Sequence, residues 1–227
     1  MAKKNEFSKG RAGKKHDRSM RFASRTPLLA YYLIVTDTKK TEKNYFDGLK
    51  DSIPAEIRDR IVIHVEKAKT TYSLIEKTQE LLSSSVQQRI PWIVFDRDEV
   101  KNFDEIIERA ICNEINVGWS NPCFEIWMFA YFGTMPNIID SISCCRRFEE
   151  RFEKVTGQKY QKSDKDIFRK LDQHGSFKKA YLLAEKNLKK AKDLHEKPSE
   201  SIPACTVHHL VKEIKDRAAG NENQVKE

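Results

Sequence analysis

Three apolar runs alternate with amphipathic segments along the first half of the chain. The runs cover residues 28–35, 61–65 and 91–95. Their length and composition indicate strands that are buried within a sheet. The segments after these runs place apolar residues at helical intervals. They predict helices over residues 40–52, 70–88 and 103–115. This alternation predicts an α/β fold with a small parallel sheet flanked by helices.

The second half of the chain has mostly helical apolar spacing. Asn121 and Pro122 predict a helix start, since Asn caps well and Pro suits the first helical position. The residues that follow are apolar on nearly all sides, which indicates a buried helix. Further helices are predicted over residues 137–155, 176–194 and 206–217. We expect this helical C-terminal part, residues 136–227, to pack on an α/β core at residues 27–135.

Residues 1–26 form a strongly basic arm. The arm holds nine Lys and Arg residues but only two acidic ones, and the whole chain has a net charge of +8. The arm contains few apolar residues, so we expect it to be disordered on its own. Such an arm neutralises phosphates and predicts nucleic-acid contact, with a solubilising tail as the alternative. The predicted phosphate-binding residues are Lys14, Lys15, Arg18, Arg21, Lys40 and Arg97.

The composition also bears on the cellular compartment. No apolar run approaches the ~18 residues that a membrane span needs, and the polar N-terminus has no signal-peptide stretch. The five cysteines are odd in number and include no CxxC pair, so neither a disulfide framework nor a zinc ribbon is indicated. We therefore expect a cytoplasmic protein with reduced cysteines and no membrane partner.

Carboxylates follow two of the predicted strands. Asp96 and Asp98 follow the third strand, and Asp37 follows the first. Functional residues of parallel sheets lie past the carboxyl ends of the strands, so these carboxylates face one crevice if the two strands are neighbours. Paired carboxylates repel one another without a cation, and hard oxygen ligands suit Mg²⁺ or Mn²⁺. The pattern predicts a metal site for phosphoryl chemistry, with a solvated acidic turn as the alternative.

Two glutamates are further candidates for this site. Glu42 lies in the first turn of the helix after the first strand, where an acid can serve as ligand or base or can simply suit the helix dipole. Glu125 lies within an otherwise apolar segment. A buried carboxylate must be paired, protonated or bound to metal, which favours a functional role. The alternative is a helix-terminal acid bonded to a nearby backbone amide.

Three segments together resemble the RloB-like (AbiLii-like) family, which belongs to the Toprim nuclease group of bacterial phage-defence proteins. The segments cover residues 33–46, 94–99 and 120–127, and residues 206–211 resemble the family's carboxyl-terminal motif. The resemblance spans about residues 28–215, nearly all of the predicted folded chain. It implies a Toprim fold, which is a small parallel sheet with a Mg²⁺ site.

The resemblance also implies roles for matching residues. Asp96 and Asp98 match the metal-binding Asp-x-Asp pair of Toprim proteins. The glutamate that serves as their general acid or base, and the glycine after it, are replaced here by Asp37 and Thr38. Asp is one methylene shorter, and a misplacement of ~1 Å can cost ~100-fold in rate. His208 matches the family's terminal histidine, which would contact the scissile phosphate or cap the site, with a helix-surface histidine as the alternative.

The sequence therefore favours a Mg²⁺- or Mn²⁺-dependent endonuclease that cleaves DNA or RNA, with tRNA among the candidates. Asp96 and Asp98 would bind the metal. Asp37, with Glu42, would complete the site and handle the proton, and Glu125 would add a carboxylate beside the metal. By resemblance, the cellular role is abortive infection, with activity restrained by an ATPase partner subunit. The alternative is a catalytically weakened nucleic-acid-binding or regulatory subunit of the same defence complex.

Overall fold

A five-stranded sheet lies at the centre of the protein. The computed structural model describes residues 30–36, 40–55, 61–68, 70–84, 89–98 and 100–219, so the predicted basic arm lies outside the described residues. The strands are β1 (Ala30–Thr36), β2 (Ile61–Lys67), β3 (Ile90–Asp96), β4 (Asn116–Asn121) and β5 (Ala204–Cys205). Their order is β2-β1-β3-β4-β5, and all pairs are parallel except β4 with β5.

Helices connect the strands and cover both faces of the sheet. They are α1 (Thr41–Ser52), α2 (Leu74–Ser83), α3 (Phe103–Cys112), α4 (Glu125–Tyr131), α5 (Ser141–Thr156), α6 (Ile167–His174), α7 (Phe177–Asp193) and α8 (Val207–Ala218). None of the helices that the structure describes combines the length and apolar character needed to cross a bilayer. The mostly parallel sheet flanked by helices confirms the predicted α/β class and agrees with a Toprim-like fold.

The central strands β1 and β3 are mostly apolar because both faces of the sheet are buried there. Tyr32 and Ile34 of β1 face a large core that contains side chains of α1, α4, α5, α6, α7 and α8. Leu33 and Val35 face a smaller core against α2 and α3. Successive side chains of a strand point to opposite faces, which explains the division. Complete burial of one such side chain stabilises the fold by about 1.5–3 kcal/mol.

The strand order brings the carboxyl ends of β1 and β3 together. The two strands pair in parallel, with Thr36 opposite Val94. The sequence predicted that the carboxylates after the first and third strands face one crevice only if these strands are neighbours. The structure confirms that the strands are neighbours. The carboxyl ends of β1 and β3 are therefore adjacent at one edge of the sheet, where functional residues of parallel sheets lie.

The predicted helix start at Asn121 was wrong. Asn121 is instead the last residue of β4, where it pairs with Ala204 of β5. Its side-chain amide donates to the backbone carbonyls of Pro198 and Ser199 rather than capping a helix. The next helix begins only at Glu125. The Asn-Pro pattern is a local signal, and pairing with distant residues outweighs it here.

Three of the described elements were not predicted: the strand β4, the helix α6 and the two-residue strand β5. The strand β4 is short and contains Gly118 and Ser120, so its sequence has no strong strand pattern. The helix α6 covers Ile167–His174 and has only three fully buried apolar residues. The helix expected over residues 70–88 is a 3-10 turn, Thr71–Ser73, followed by α2, which ends at Ser83.

A candidate active-site cleft at the carboxyl end of the sheet

A cleft of about 710 Å³ opens beside the carboxyl end of β3. Carboxylates, cations and thiols line it together. The lining residues are Lys40, Thr41, Glu42, Asp96, Asp98, Cys123, Glu125, Ser141, Ile142, Cys145, Arg146, Glu149 and Lys162. The cleft therefore unites four of the acidic residues predicted for the site, together with one predicted phosphate-binding residue, Lys40.

The Asp-x-Asp pair lies where β3 runs into its following turn. Asp96 is the half-buried last residue of the strand and pairs with Ser120 of β4. Asp98 is exposed, with φ of +23°, and its backbone N–H donates to the carbonyl of Pro122 over 3.0 Å. The hydroxyl of Ser141, at the start of α5, donates to Asp98 Oδ1 over 2.5 Å. The turn is thus fixed from two directions, and both carboxylates face the cleft.

Helix α1 contributes a third carboxylate to the cleft. Glu42 lies in its first turn and is only 2% exposed. An acid at this position interacts favourably with the partial positive charge at the helix start. Lys40, which precedes the helix, is exposed at the rim of the cleft. The cleft wall therefore carries a buried carboxyl group and an exposed lysine from the same end of α1.

Glu125 is a further carboxylate of the cleft that is almost completely buried. It begins α4, in which every residue is buried, and its own side chain is 2% exposed. The Tyr160 hydroxyl donates to Glu125 Oε1 over 3.0 Å, and Lys162 Nζ lies 3.5 Å from the same oxygen. The Tyr160 hydroxyl also lies 3.4 Å from Thr41 Oγ1. The partners of this buried carboxyl group are thus side chains, which differs from the predicted alternative of an acid bonded to a backbone amide.

The electrostatics of this group follow from burial and from the Glu125 charge. Burial and then the Glu125 carboxylate raise the pKa of Tyr160, so its hydroxyl remains protonated and donates to Glu125. Burial is the largest single effect on Lys162 and lowers its pKa, but the Glu125 carboxylate, together with Cys145 and Cys123, more than offsets it, so the net shift is upward. Lys162 therefore stays positively charged beside the Glu125 carboxyl group.

Two cysteines complete the floor of the cleft. The sulfur atoms of Cys123 and Cys145 and a carboxylate oxygen of Glu125 lie within 4.8 Å of one another. A hydrogen bond with Cys144 is the main cause that raises the pKa of Cys123, and a hydrogen bond with Cys123 is the main cause for Cys145. Both residues are therefore neutral thiols at pH 7. All five cysteines are free, in agreement with the expectation of reduced thiols.

Several residues of the cleft had no signal in the sequence. Tyr160 and Lys162 lie in the connection between α5 and α6, a polar stretch without a motif. Ser141 and Arg146 belong to the start of α5, and their side chains reach the cleft only because α5 packs against α4. The only available signal was indirect: a buried carboxylate such as Glu125 needs a partner, so a lysine or arginine beside it could have been predicted, although not which one.

Five predicted site residues fall outside the part of the chain that the structure describes. They are Asp37 and the arm residues Lys14, Lys15, Arg18 and Arg21.

Two predicted residues that are described do not line the cleft. The guanidinium of Arg97 donates to the backbone carbonyl of Val100 over 2.8 Å and lies over the Phe103 ring, so it holds the turn after β3. His208 is completely buried on α8, where Nε2 lies 2.8 Å from Glu185 Oε1. The structure does not bring His208 to the cleft.

The donor set of the cleft suits a hard divalent cation. Asp96 and Asp98 supply carboxylate oxygens at its edge, and Glu42 and Glu125 supply further ones. Mg²⁺ is usually held through one or two carboxylates, with waters and substrate phosphates as the remaining ligands. Among the described residues these carboxylates do not form a closed group of three, and the third predicted ligand, Asp37, lies outside them. An open site of this kind fits a metal that is shared with a phosphate.

Fold and cleft together define an α/β protein whose acidic site lies past the carboxyl end of a parallel strand. The family model for RloB-like proteins matches residues 32–214. The chain therefore belongs to the RloB-like family. A search of curated proteins found no match, and neither did a search of solved structures.

Proposed function

We propose that this protein is a Mg²⁺- or Mn²⁺-dependent nuclease that hydrolyses phosphodiester bonds of DNA or RNA. The observation that carries the proposal is the meeting of Glu42, Asp96, Asp98 and Glu125 in one cleft. Asp96 and Asp98 would hold the metal. When bound, the ion supplies polarisation of a phosphate oxygen and activation of a water.

The remaining groups of the cleft support substrate binding. Lys40, Arg146 and Lys162 place positive charge around the carboxylates, as a bound polyanion requires. Tyr160 and Lys162 hold Glu125 in a fixed position, which favours a role as a further metal ligand or a base over a merely solvated acid. Membership of the RloB-like family supports a role in antiviral defence. We propose that the nuclease acts there with an ATPase partner that restrains it.

The experiment is cleavage of plasmid DNA and of total tRNA with Mg²⁺ or Mn²⁺. The wild type is compared with Asp96→Asn/Asp98→Asn, which preserves side-chain shape. The control Glu105→Gln/Glu108→Gln removes two exposed negative charges from α3, outside the cleft. We expect metal-dependent cleavage by the wild type and the control. Loss of the metal ligands should lower the rate by ~100-fold or more, since metal assistance contributes several kcal/mol.

A second candidate function rests on the residues at positions 37 and 38. The chain has Asp37 and Thr38 there, which differ from the Glu-Gly pair of Toprim proteins. If these two differences have removed catalysis, the chain serves instead as a nucleic-acid-binding or regulatory subunit. If neither the wild type nor Asp96→Asn/Asp98→Asn cleaves DNA or tRNA when the ATPase partner is present, the proposal that this protein is a nuclease is contradicted. A large gain of cleavage in Asp37→Glu/Thr38→Gly would identify the present chain as catalytically weakened.

A further inference from the structure

A second cluster of metal-binding side chains lies outside the cleft, between α7 and α8. Its members are Glu185 of α7 and the adjacent residues His208 and His209 of α8. One ligand atom from each of the three lies within 4.8 Å of the others. None of these residues lines the cleft.

The two histidines converge although they are neighbours in a helix. Consecutive helical side chains normally point about 100° apart. Here His208 Nε2 lies 2.8 Å and His209 Nε2 lies 2.6 Å from the same atom, Glu185 Oε1, and the two ring centroids are 4.1 Å apart. This convergence brings two imidazole nitrogens and a carboxylate oxygen to one point.

We propose that Glu185, His208 and His209 bind one divalent transition-metal ion of the Zn²⁺ type, which cross-links α7 and α8. Two imidazoles and a carboxylate are a ligand set for such ions. Bond lengths of ~2.1 Å imply ligand atoms ~3.4 Å apart in a tetrahedral site, so each nitrogen needs to move away from Glu185 Oε1 by less than ~1 Å. Mg²⁺ prefers oxygen ligands, so we expect it to bind weakly to a site with two imidazole nitrogens.

The surroundings of His208 fix which nitrogen faces the metal. Its Nδ1 lies 3.8 Å from Cys205 Sγ, and the ring packs near Trp127 and Tyr181. When the ring proton is on Nδ1, the Nε2 lone pair is available for the ion, and a partner on the opposite nitrogen is the usual support of a metal-binding histidine.

The site is reachable from solvent on one side. The side chains of Glu185 and His209 are 38% and 41% exposed, whereas His208 is completely buried. An ion can therefore enter past Glu185 and His209 and rest against His208. Three protein ligands leave a fourth position, which water can occupy.

The test is Zn²⁺ and Co²⁺ binding to the full chain after chelator treatment, in excess Mg²⁺. We expect one tightly bound Zn²⁺ and a rise in melting temperature, because a ligand that binds only the folded state stabilises it. The Co²⁺ complex should show d–d absorption without a thiolate charge-transfer band. His209→Ala and Glu185→Gln should each weaken binding by about 10-fold or more, whereas the exposed His174→Ala should not.

Other results overturn the proposal. Equal Zn²⁺ affinity in the wild type and in both ligand variants would show that the three side chains only hydrogen-bond to one another. Binding that disappears in Cys145→Ser instead would place the ion at Cys123, Glu125 and Cys145. Melting curves of metal-free His209→Ala, whose side chain is partly exposed, check that the variant folds. These readouts do not depend on nuclease activity, so their failure is distinct from failure of the proposed function.

Discussion

Glu125 places a carboxylate in the interior of the protein. An ionised group that is only 2% exposed is costly unless partners replace the water it loses. Tyr160 donates a hydrogen bond to it, and Lys162 contributes a nearby positive charge. Lys162 is 54% exposed, so solvent screens its attraction and the buried Tyr160 hydroxyl matters more for stability. The pair fixes the Glu125 carboxylate at the wall of the cleft.

Removal of the Tyr160 hydroxyl should destabilise the fold. Tyr160→Phe leaves the Glu125 carboxylate without its buried donor, and an unsatisfied buried polar group costs about 1–3 kcal/mol. We expect the free energy of unfolding, measured by urea titration, to fall by roughly that amount. Tyr72→Phe is the control, because Tyr72 is 55% exposed.

A double-mutant cycle tests whether this loss of stability comes from the interaction between Tyr160 and Glu125. In a Glu125→Gln background, Tyr160→Phe should cost less, since the buried charge is already absent. Equal losses in both backgrounds would mean that the hydroxyl acts through Thr41 or through packing, and the role assigned to Glu125 would be withdrawn.

Helix α5 borders the cleft, and its first turn is set by a cap. The Asp140 carboxylate accepts from the backbone N–H of Ser143 over 2.7 Å, and this bond holds the pKa of Asp140 below its ordinary value. Ser141, which donates to Asp98, is the next residue. The cap therefore positions a contact of the Asp-x-Asp turn.

Loss of this cap should lower stability in a pH-dependent way. A depressed pKa means that the stabilisation is present above the ordinary Asp value and fades as pH falls through the folded-state value. We expect the melting temperature of Asp140→Ala to be lower than that of the wild type at pH 7. The difference between the two melting temperatures should become smaller at acid pH. Asp140→Asn should keep most of the cap without that pH dependence. A difference in melting temperature that does not change with pH would contradict the claim that the ionised Asp140 carboxylate caps α5.

The contact between α1 and α6 depends on a glycine. A Cβ atom added at Gly48 would lie 2.7 Å from Phe168 Cβ, which belongs to the rigid base of that side chain. Gly48→Ala gains ~1 kcal/mol of helix propensity but overpacks the interface at a cost of about 1–3 kcal/mol.

Overpacking should outweigh propensity, so we expect a net loss in the free energy of unfolding for Gly48→Ala. Lys50→Ala, at an exposed position of the same helix, should be nearly neutral. A Gly48→Ala variant as stable as the wild type would show that α6 moves aside readily.

Most of the net positive charge of the chain lies in residues 1–26. Basic side chains release counterions when they neutralise phosphates, which gives affinity that falls steeply with salt. Deletion of residues 1–26 should therefore weaken binding to DNA or RNA and flatten the salt dependence. Fluorescence anisotropy at several salt concentrations measures both, and an unchanged slope would mean that the arm does not contact phosphates.

Local sequence patterns were sufficient for the elements that are buried on both sides. The apolar runs before Asp96 and around Ile34 predicted the central strands, and periodic apolar residues predicted most helices with boundaries that differ by a few residues. The strand order then confirmed that β1 and β3 are neighbours. Burial of an entire strand requires continuous apolar sequence, so the signal for these elements is carried by adjacent residues.

The sequence by itself determined the α/β class, the acidic pair after β3 and the family resemblance. Only tertiary structure decided that Asn121 ends a strand, that Tyr160 and Lys162 meet Glu125, and that His208 meets Glu185. The physical reason is the range of the interactions. Strand and helix periodicity act between neighbours along the chain, whereas these contacts join residues 23 to 83 positions apart, which no local pattern encodes.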